Sequence, residues 1–147
     1  MKKFAVFIVS VIVVSLLLAI PLTGCEAEVS FTTASLSEAS MCQSVDKDMR
    51  PLNAADVFTT DTPEIFCSVK LSNAPADTEV KAELIYVKGE LEGVTNHLIT
   101  DYSLTADGTR YLSFSVIKPD AGWPKGEYNV VLYVDGKEKL SVPFTVQ

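Results

Sequence analysis

The sequence predicts an all-β fold, an antiparallel sandwich of about seven to eight short strands. Three observations carry this expectation. Residues 64–71, 79–88, 127–134 and 139–147 alternate apolar and polar side chains, the period of a strand with one buried face. Turn-forming residues separate the runs, as at Asp61-Thr62-Pro63, Asn73-Ala74-Pro75-Ala76-Asp77, Ala106-Asp107-Gly108 and Asp135-Gly136. No run of helical periodicity follows residue 25. Many short strands broken by turns argue for two packed sheets.

The chain begins differently. Lys2 and Lys3 give a positive start, and residues 4–20 carry no charge. Pro21 ends any helix there, because it has no N–H to donate and disfavours helical backbone in the residue before it. Small residues follow at Thr23 and Gly24. A basic end, an apolar core and a small-residue exit make a secretory signal peptide, expected as a helix over its apolar part. The stretch Leu22-Thr23-Gly24-Cys25 resembles the lipobox of bacterial lipoproteins. That resemblance implies diacylglyceryl transfer to the Cys25 thiol, cleavage before Cys25, and acylation of the new amino terminus. An uncleaved transmembrane anchor and ordinary secretion are the alternatives. All three place residues 26–147 outside the cytoplasm. The expected organisation is a signal peptide at 1–24, a lipidated cysteine and tether at 25–33, and a β domain at 34–147. The expected address is a bacterial cell membrane or outer membrane, reached through the lipid on Cys25. Two or three acyl chains hold a protein firmly on a bilayer, at about 0.8 kcal/mol per buried CH₂.

Removing residues 1–24 leaves 123 residues, enough for one domain with a core. The net charge of −7 becomes −9 when Lys2 and Lys3 leave with the signal. A chain this acidic repels nucleic acid and anionic head groups, and no basic patch interleaved with aromatics opposes that reading. Cysteine usage fits export. With Cys25 assigned to lipid, Cys42 and Cys67 remain, and two cysteines in an exported domain most often pair. A Cys42–Cys67 disulfide would close a loop of about 26 residues and contribute roughly 3.5 kcal/mol. Two buried thiols, or redox and metal chemistry, are the other readings.

The elements follow in order. A first strand is expected between Ala34 and Asp46; Leu36, Ala39 and Met41 break strict alternation, so a bulge or sheet switch is expected there. Residues 46–53 read as loop, and Phe58 touches the core. Ile65, Cys67, Val69 and Leu71 share one face of the next strand, and Val80, Ala82, Leu84 and Tyr86 share one face of the strand after it. Residues 94–104 read as a strand or a bent pair, then Ala106-Asp107-Gly108 as a hairpin turn. Leu112, Phe114 and Val116 point inward. Residues 118–126 hold two prolines and two glycines and must turn. Tyr128, Val130, Leu132 and Val134 lie on one face. Asp135-Gly136 fits a type I′ hairpin turn, and Leu140, Val142, Phe144 and Val146 return on the inner side.

Trp123-Pro124-Lys125-Gly126-Glu127-Tyr128, then Val130, Leu132, Asp135-Gly136 and Phe144-Thr145-Val146, is similar to the end of bacterial extracellular immunoglobulin-like domains. The resemblance implies an immunoglobulin-like sandwich for residues 34–147. The Met41-Cys42 and Phe66-Cys67 pairs resemble a subgroup of these domains, which adds to the expectation of a bridge. Leu84 stands where such domains often carry tryptophan, and the Cys42–Cys67 pairing is not the antibody-type one. A fold of this kind implies no particular activity.

Chemistry is sparse. His97 is the one histidine, and no Ser/His/Asp or Cys/His constellation can be argued from spacing. Zinc would need Cys42, Cys67 and His97 to converge without any Cys-x-x-Cys element. Asp46 and Asp48, or Asp56, Asp61 and Glu64, offer carboxylates for calcium, but Asp46-Lys47-Asp48 has a lysine inside it and lacks the glycine and glutamate of a calcium loop. Trp123, Tyr128, Tyr133, Tyr102 and Tyr111 would form either a platform for glycan or peptide or, on the simpler reading, core and corner packing with Tyr128 as a tyrosine corner. The sequence therefore predicts no catalytic residue, metal or cofactor. It predicts a membrane-anchored, non-enzymatic binding module that offers loops or edge strands to an envelope protein or polymer. A structural spacer, or a small metal-handling or enzymatic envelope protein, is the alternative.

Overall fold

The computed structural model describes residues 31–147; the signal peptide, the lipobox residues Leu22, Thr23 and Gly24, and Cys25 lie outside the described residues. Seven strands run in order: β1 (Ser35–Val45), β2 (Pro51–Ala54), β3 (Val57–Phe58), β4 (Glu64–Gly89), β5 (His97–Ile117), β6 (Gly126–Val134) and β7 (Lys137–Val146). No helix occurs among the described residues, so the domain is all-β.

The alternating runs bury the faces that their period dictates. Ile65, Cys67, Val69 and Leu71, then Val80, Ala82, Leu84 and Tyr86, then Tyr128, Val130, Leu132 and Val134 are all buried. The irregularity expected in the first strand is a bulge: Glu38 takes φ 50° and the β1–β4 register shifts between Ser37 and Ser40. Asp135 and Gly136 have φ 48° and 79°, the left-handed pair that a type I′ turn requires.

The sheet departs from the expected sandwich in two ways. All seven strands join in one hydrogen-bonded sheet, ordered β2-β1-β4-β6-β7-β3, with β5 attached to β4. The expected turns at 73–77 and 106–108 do not reverse the chain. They are one shared bend in β4 and β5, which stay paired through it: Leu71 faces Arg110, Ala74 faces Gly108, and Thr78 faces Ala106. Positive φ at Asn73, Asp77 and Gly108 lets both strands turn together. Residues 66–72 then pair with β1, while residues 80–89 pair with β6. The result is a curled sheet, a half-barrel. The pairing is also not wholly antiparallel. Val57 faces Thr145 and Phe58 faces Val146 in a parallel β3–β7 pair, so the sheet is mixed.

An aromatic cluster closes one end of the core. Tyr128 stacks on Phe144 with centroids 5.0 Å apart and meets Tyr86 and Trp123 edge-on at 5.2 and 6.2 Å. Phe58 packs edge-on against Phe144 at 5.6 Å, which ties the two-residue β3 to the core. The buried Trp123 donates its Nε1–H to the Thr62 carbonyl oxygen at 2.9 Å. The Tyr128 hydroxyl donates to the Pro124 carbonyl oxygen at 2.6 Å, the corner bond expected of it. Gly89 faces Gly126 across β4 and β6, where a methyl on Gly89 would overlap the Lys125 carbonyl oxygen and the Gly126 Cα.

Candidate functional site

The residues singled out by sequence fall in different places. Cys42 and Cys67 are both free, buried thiols, so the expected disulfide is absent. The register explains why. Residues opposite one another in an antiparallel pair share a face, and neighbours along a strand alternate. Met41 faces Cys67, whereas Cys42 faces Phe66. Cys67 therefore points into the core beside Met41, and Cys42 points to the other side of the sheet, toward β2, where Ala54 is its partner. Side chains that diverge in this way cannot bridge without backbone movement. Burial raises the pKa of both thiols, that of Cys67 to about 12.

His97 is exposed at the start of β5, opposite Tyr86. Asp46 caps a turn: its Oδ1 accepts the N–H of Asp48 at 2.8 Å and of Arg50 at 2.9 Å. Among the described residues no three His, Cys, Asp or Glu side chains converge as metal ligands do. The five aromatics do not form a common platform. Trp123 and Tyr128 are buried, Tyr133 lies under the Lys81 ammonium at 4.4 Å, and Tyr111 sits beneath the Arg50 guanidinium at 5.5 Å with its hydroxyl on Glu38. Tyr102 alone stands out, 64% exposed.

Tyr102 belongs to the most unusual surface of the domain. The 21-residue β5 is paired on one side only, to β4, and no other strand meets it among the described residues. Residues 97–103 are all exposed. Edge strands are usually short, or guarded by lysine, proline or bulges. This one is long, has no lysine or proline, and exposes Leu98, Ile99, Tyr102 and Ile117; its guards are the register shift that leaves Ile99 between Leu98 and Thr100 without a partner, and the charge of Asp101. Over residues 97–106 its one formal charge is Asp101.

A cleft of about 520 Å³ opens beside this edge, on the concave side of the bent β4–β5 pair. Its wall includes Met41, Ile65, Leu84, Phe114 and Trp123, and Tyr102 crosses its mouth to meet Phe114 edge-on at 6.2 Å. Thr100 and Tyr102 face this side, since their partners Leu84 and Ala82 are buried in the core. Cys67 also lines the cleft, but burial keeps it protonated, which removes it as a nucleophile near neutral pH. The size suits a small apolar group or a few side chains.

The opposite face of the same edge is charged. Asp101 lies directly across from Glu83. Lys81 Nζ contacts Glu83 Oε1 at 2.6 Å, and the Tyr133 hydroxyl donates to Glu83 Oε2 at 2.9 Å. The Lys81 bond holds the Glu83 carboxyl below the usual carboxylate range, so Glu83 is ionised and Lys81 is committed to it. Asp101 forms no ion pair among the described residues. The Lys81 ammonium also feels the Asp101 carboxylate, but its bond is to Glu83.

These features define an all-β domain with an open strand edge and an adjoining apolar cleft. No family model matches the chain, and no curated protein matches it. Solved structures are similar to part of it. The alkylpurine DNA glycosylase AlkC of Pseudomonas fluorescens, bound to DNA containing an abasic-site analogue, is 18% identical with a TM-score of 0.50 over 78% of this chain and 30% of that one. A β-glucosidase of Listeria innocua is 10% identical, with a TM-score of 0.49 over 80% of this chain and 16% of that one. An uncharacterised protein of Bacillus anthracis is 15% identical, with a TM-score of 0.40 over 63% and 76%. The chain thus spans under a third of the glycosylase and about a sixth of the glucosidase. At 18% identity the likeness to AlkC is one of fold alone. No helix among the described residues is long and apolar enough to cross a membrane.

Proposed function

We propose that this chain is a membrane-anchored extracytoplasmic lipoprotein whose β domain is a non-enzymatic interaction module, and that the curled sheet is a variant of the immunoglobulin-like sandwich. The observation that carries the anchor is the sequence pattern of residues 1–25, a basic start and an apolar run that ends in Leu22-Thr23-Gly24-Cys25. The observation that carries the interaction role is the one-sided pairing of β5 beside the apolar cleft. The sandwich reading draws support from the Tyr128–Pro124 corner bond. The partner class is an envelope protein or polymer. The strong negative charge of the mature chain argues against nucleic acid, whatever the glycosylase neighbour binds.

Membrane fractionation and intact-mass measurement test the anchor. The native protein is expected in the membrane fraction, starting at Cys25 and heavier than its polypeptide by a diacylglyceryl group and further acyl chains. Cys25→Ser is expected to leave the unprocessed precursor or to release the domain. A Cys25→Ser protein that stays on the membrane at the normal processed size would exclude lipidation.

A further inference from the structure

Three features of β5 converge on one kind of occupant. First, the unpaired side of the strand presents a row of main-chain N–H and C=O groups along residues 97–106, exposed for most of that length. Only another extended backbone supplies acceptors and donors at the matching repeat, about 3.4 Å per residue. Second, the side chains of such a strand would alternate between the two faces. On one face they would meet Thr100, Tyr102 and the cleft beyond them, which is walled by Leu84, Phe114 and Trp123. On the other they would meet Asp101, which has Glu83 beside it and no cation of its own. Third, Asp101 is a carboxylate on the open edge with no ion-pair partner among the described residues, since the nearby Lys81 is bonded to Glu83, so a cation on an added strand would find it free.

We infer that β5 accepts an extended segment of a partner protein, added as a further strand along residues 97–106, with apolar side chains turned into the cleft and a lysine or arginine set against Asp101. The inference rests on the interaction reading above and names the occupant of that surface. A second copy of this chain fits less well. Pairing β5 with β5 puts both Asp101 side chains on the same outer face, between two bodies each of net charge near −9.

The full chain in lipid nanodiscs provides the test. The probes are two labelled ten-residue peptides of alternating valine and serine, one with lysine and one with glutamate at the central serine-face position. Both are titrated by fluorescence anisotropy against the wild type, Asp101→Lys, and Glu138→Lys as a charge control on β7. Asp101→Lys is expected to fold normally, since the position is exposed and forms no ion pair among the described residues. The wild type is expected to bind the lysine peptide, and Asp101→Lys to lower its preference for lysine over glutamate by about tenfold. Glu138→Lys is expected to leave that preference within about twofold. A preference that shifts equally in both variants would overturn the assigned register. Failure of the lysine peptide to bind the folded wild type, or a wild-type dimer that blocks binding, would overturn strand addition. Site-specific photocrosslinks on intact cells from a surface other than β5, with β5 silent, would sink this inference and leave the interaction reading standing. Loss of crosslinks everywhere would remove both.

Discussion

Replacing Trp123 by alanine is expected to destabilise the domain by about 3–5 kcal/mol. The residue is 3% exposed and sits where three features meet. Its ring packs edge-on against Tyr128, which stacks on Phe144, which in turn meets Phe58. Its Nε1–H satisfies the Thr62 carbonyl oxygen, and its own backbone N–H donates to Thr60 at 3.0 Å. The truncation leaves a large cavity and an unpartnered carbonyl in the loop that leads into β4. Urea unfolding of the full chain in nanodiscs checks the magnitude, and the melting temperature is expected to fall by about 15–20 °C. Trp123→Phe, which keeps ring packing but not the Nε1–H bond, is expected to cost less than half as much. A Trp123→Ala loss under 1 kcal/mol would mean that the aromatic cluster does not hold this end of the half-barrel.

The second large effect concerns the two thiols. Cys42 and Cys67 are buried and unbridged, so neither is expected to react with iodoacetamide in the folded protein, and both are expected to react once urea unfolds it without any reductant. The buried Cys67 also links folding to pH. Burial raises its pKa from 9.0 to about 12, so the folded state holds a proton that the unfolded chain releases above pH 9. The unfolded state then binds fewer protons, and stability declines as pH rises. The stabilisation is fully present below pH 9 and is lost progressively toward pH 12, with an upper bound on the order of 4 kcal/mol. Denaturant midpoints measured from pH 8 to pH 10.5 are expected to fall, and Cys67→Ala is expected to flatten that slope. A non-reducing mass showing a Cys42–Cys67 bond, or a midpoint indifferent to alkali, would contradict this arrangement.

Much of the strand content was legible in the sequence, for a simple reason. Period-two burial is a local property, and the faces of residues 65–71, 80–86 and 128–134 follow from it without any knowledge of partners. The Asp135-Gly136 turn and the Tyr128 corner bond were legible because each depends on neighbours within a few residues. What was hidden is tertiary. Asn73, Asp77 and Gly108 carry ordinary turn chemistry, and a positive φ serves a bend as well as a reversal. Only the continued pairing of β4 with β5 distinguishes the two. The parallel β3–β7 pair is two residues long, too short to leave a pattern. The cysteines misled because their count carries no register: a one-residue offset between Met41 and Cys42 decides which face each thiol takes.

The candidate site was legible least of all. Nothing local announces that one side of β5 stays unpaired. One signal was present: residues 97–106 place apolar side chains on both faces, Leu98 and Ile99 as well as Tyr102 and Leu104, with a single charge among them. Such a run suits a strand covered on both sides, and in the free domain it is not covered.

Site-resolved amide exchange on the full chain in nanodiscs, with no partner added, tests the open edge most directly. Amides within residues 80–86 of β4, flanked by β5 and β6, are expected to be strongly protected. Along residues 97–106 of β5, alternate amides, those turned away from β4, are expected to exchange at least about a hundredfold faster than their neighbours. Uniform protection across β5, equal to that of β4, would mean that the edge is already covered in the free protein, and the reading of β5 as a docking strand would fall.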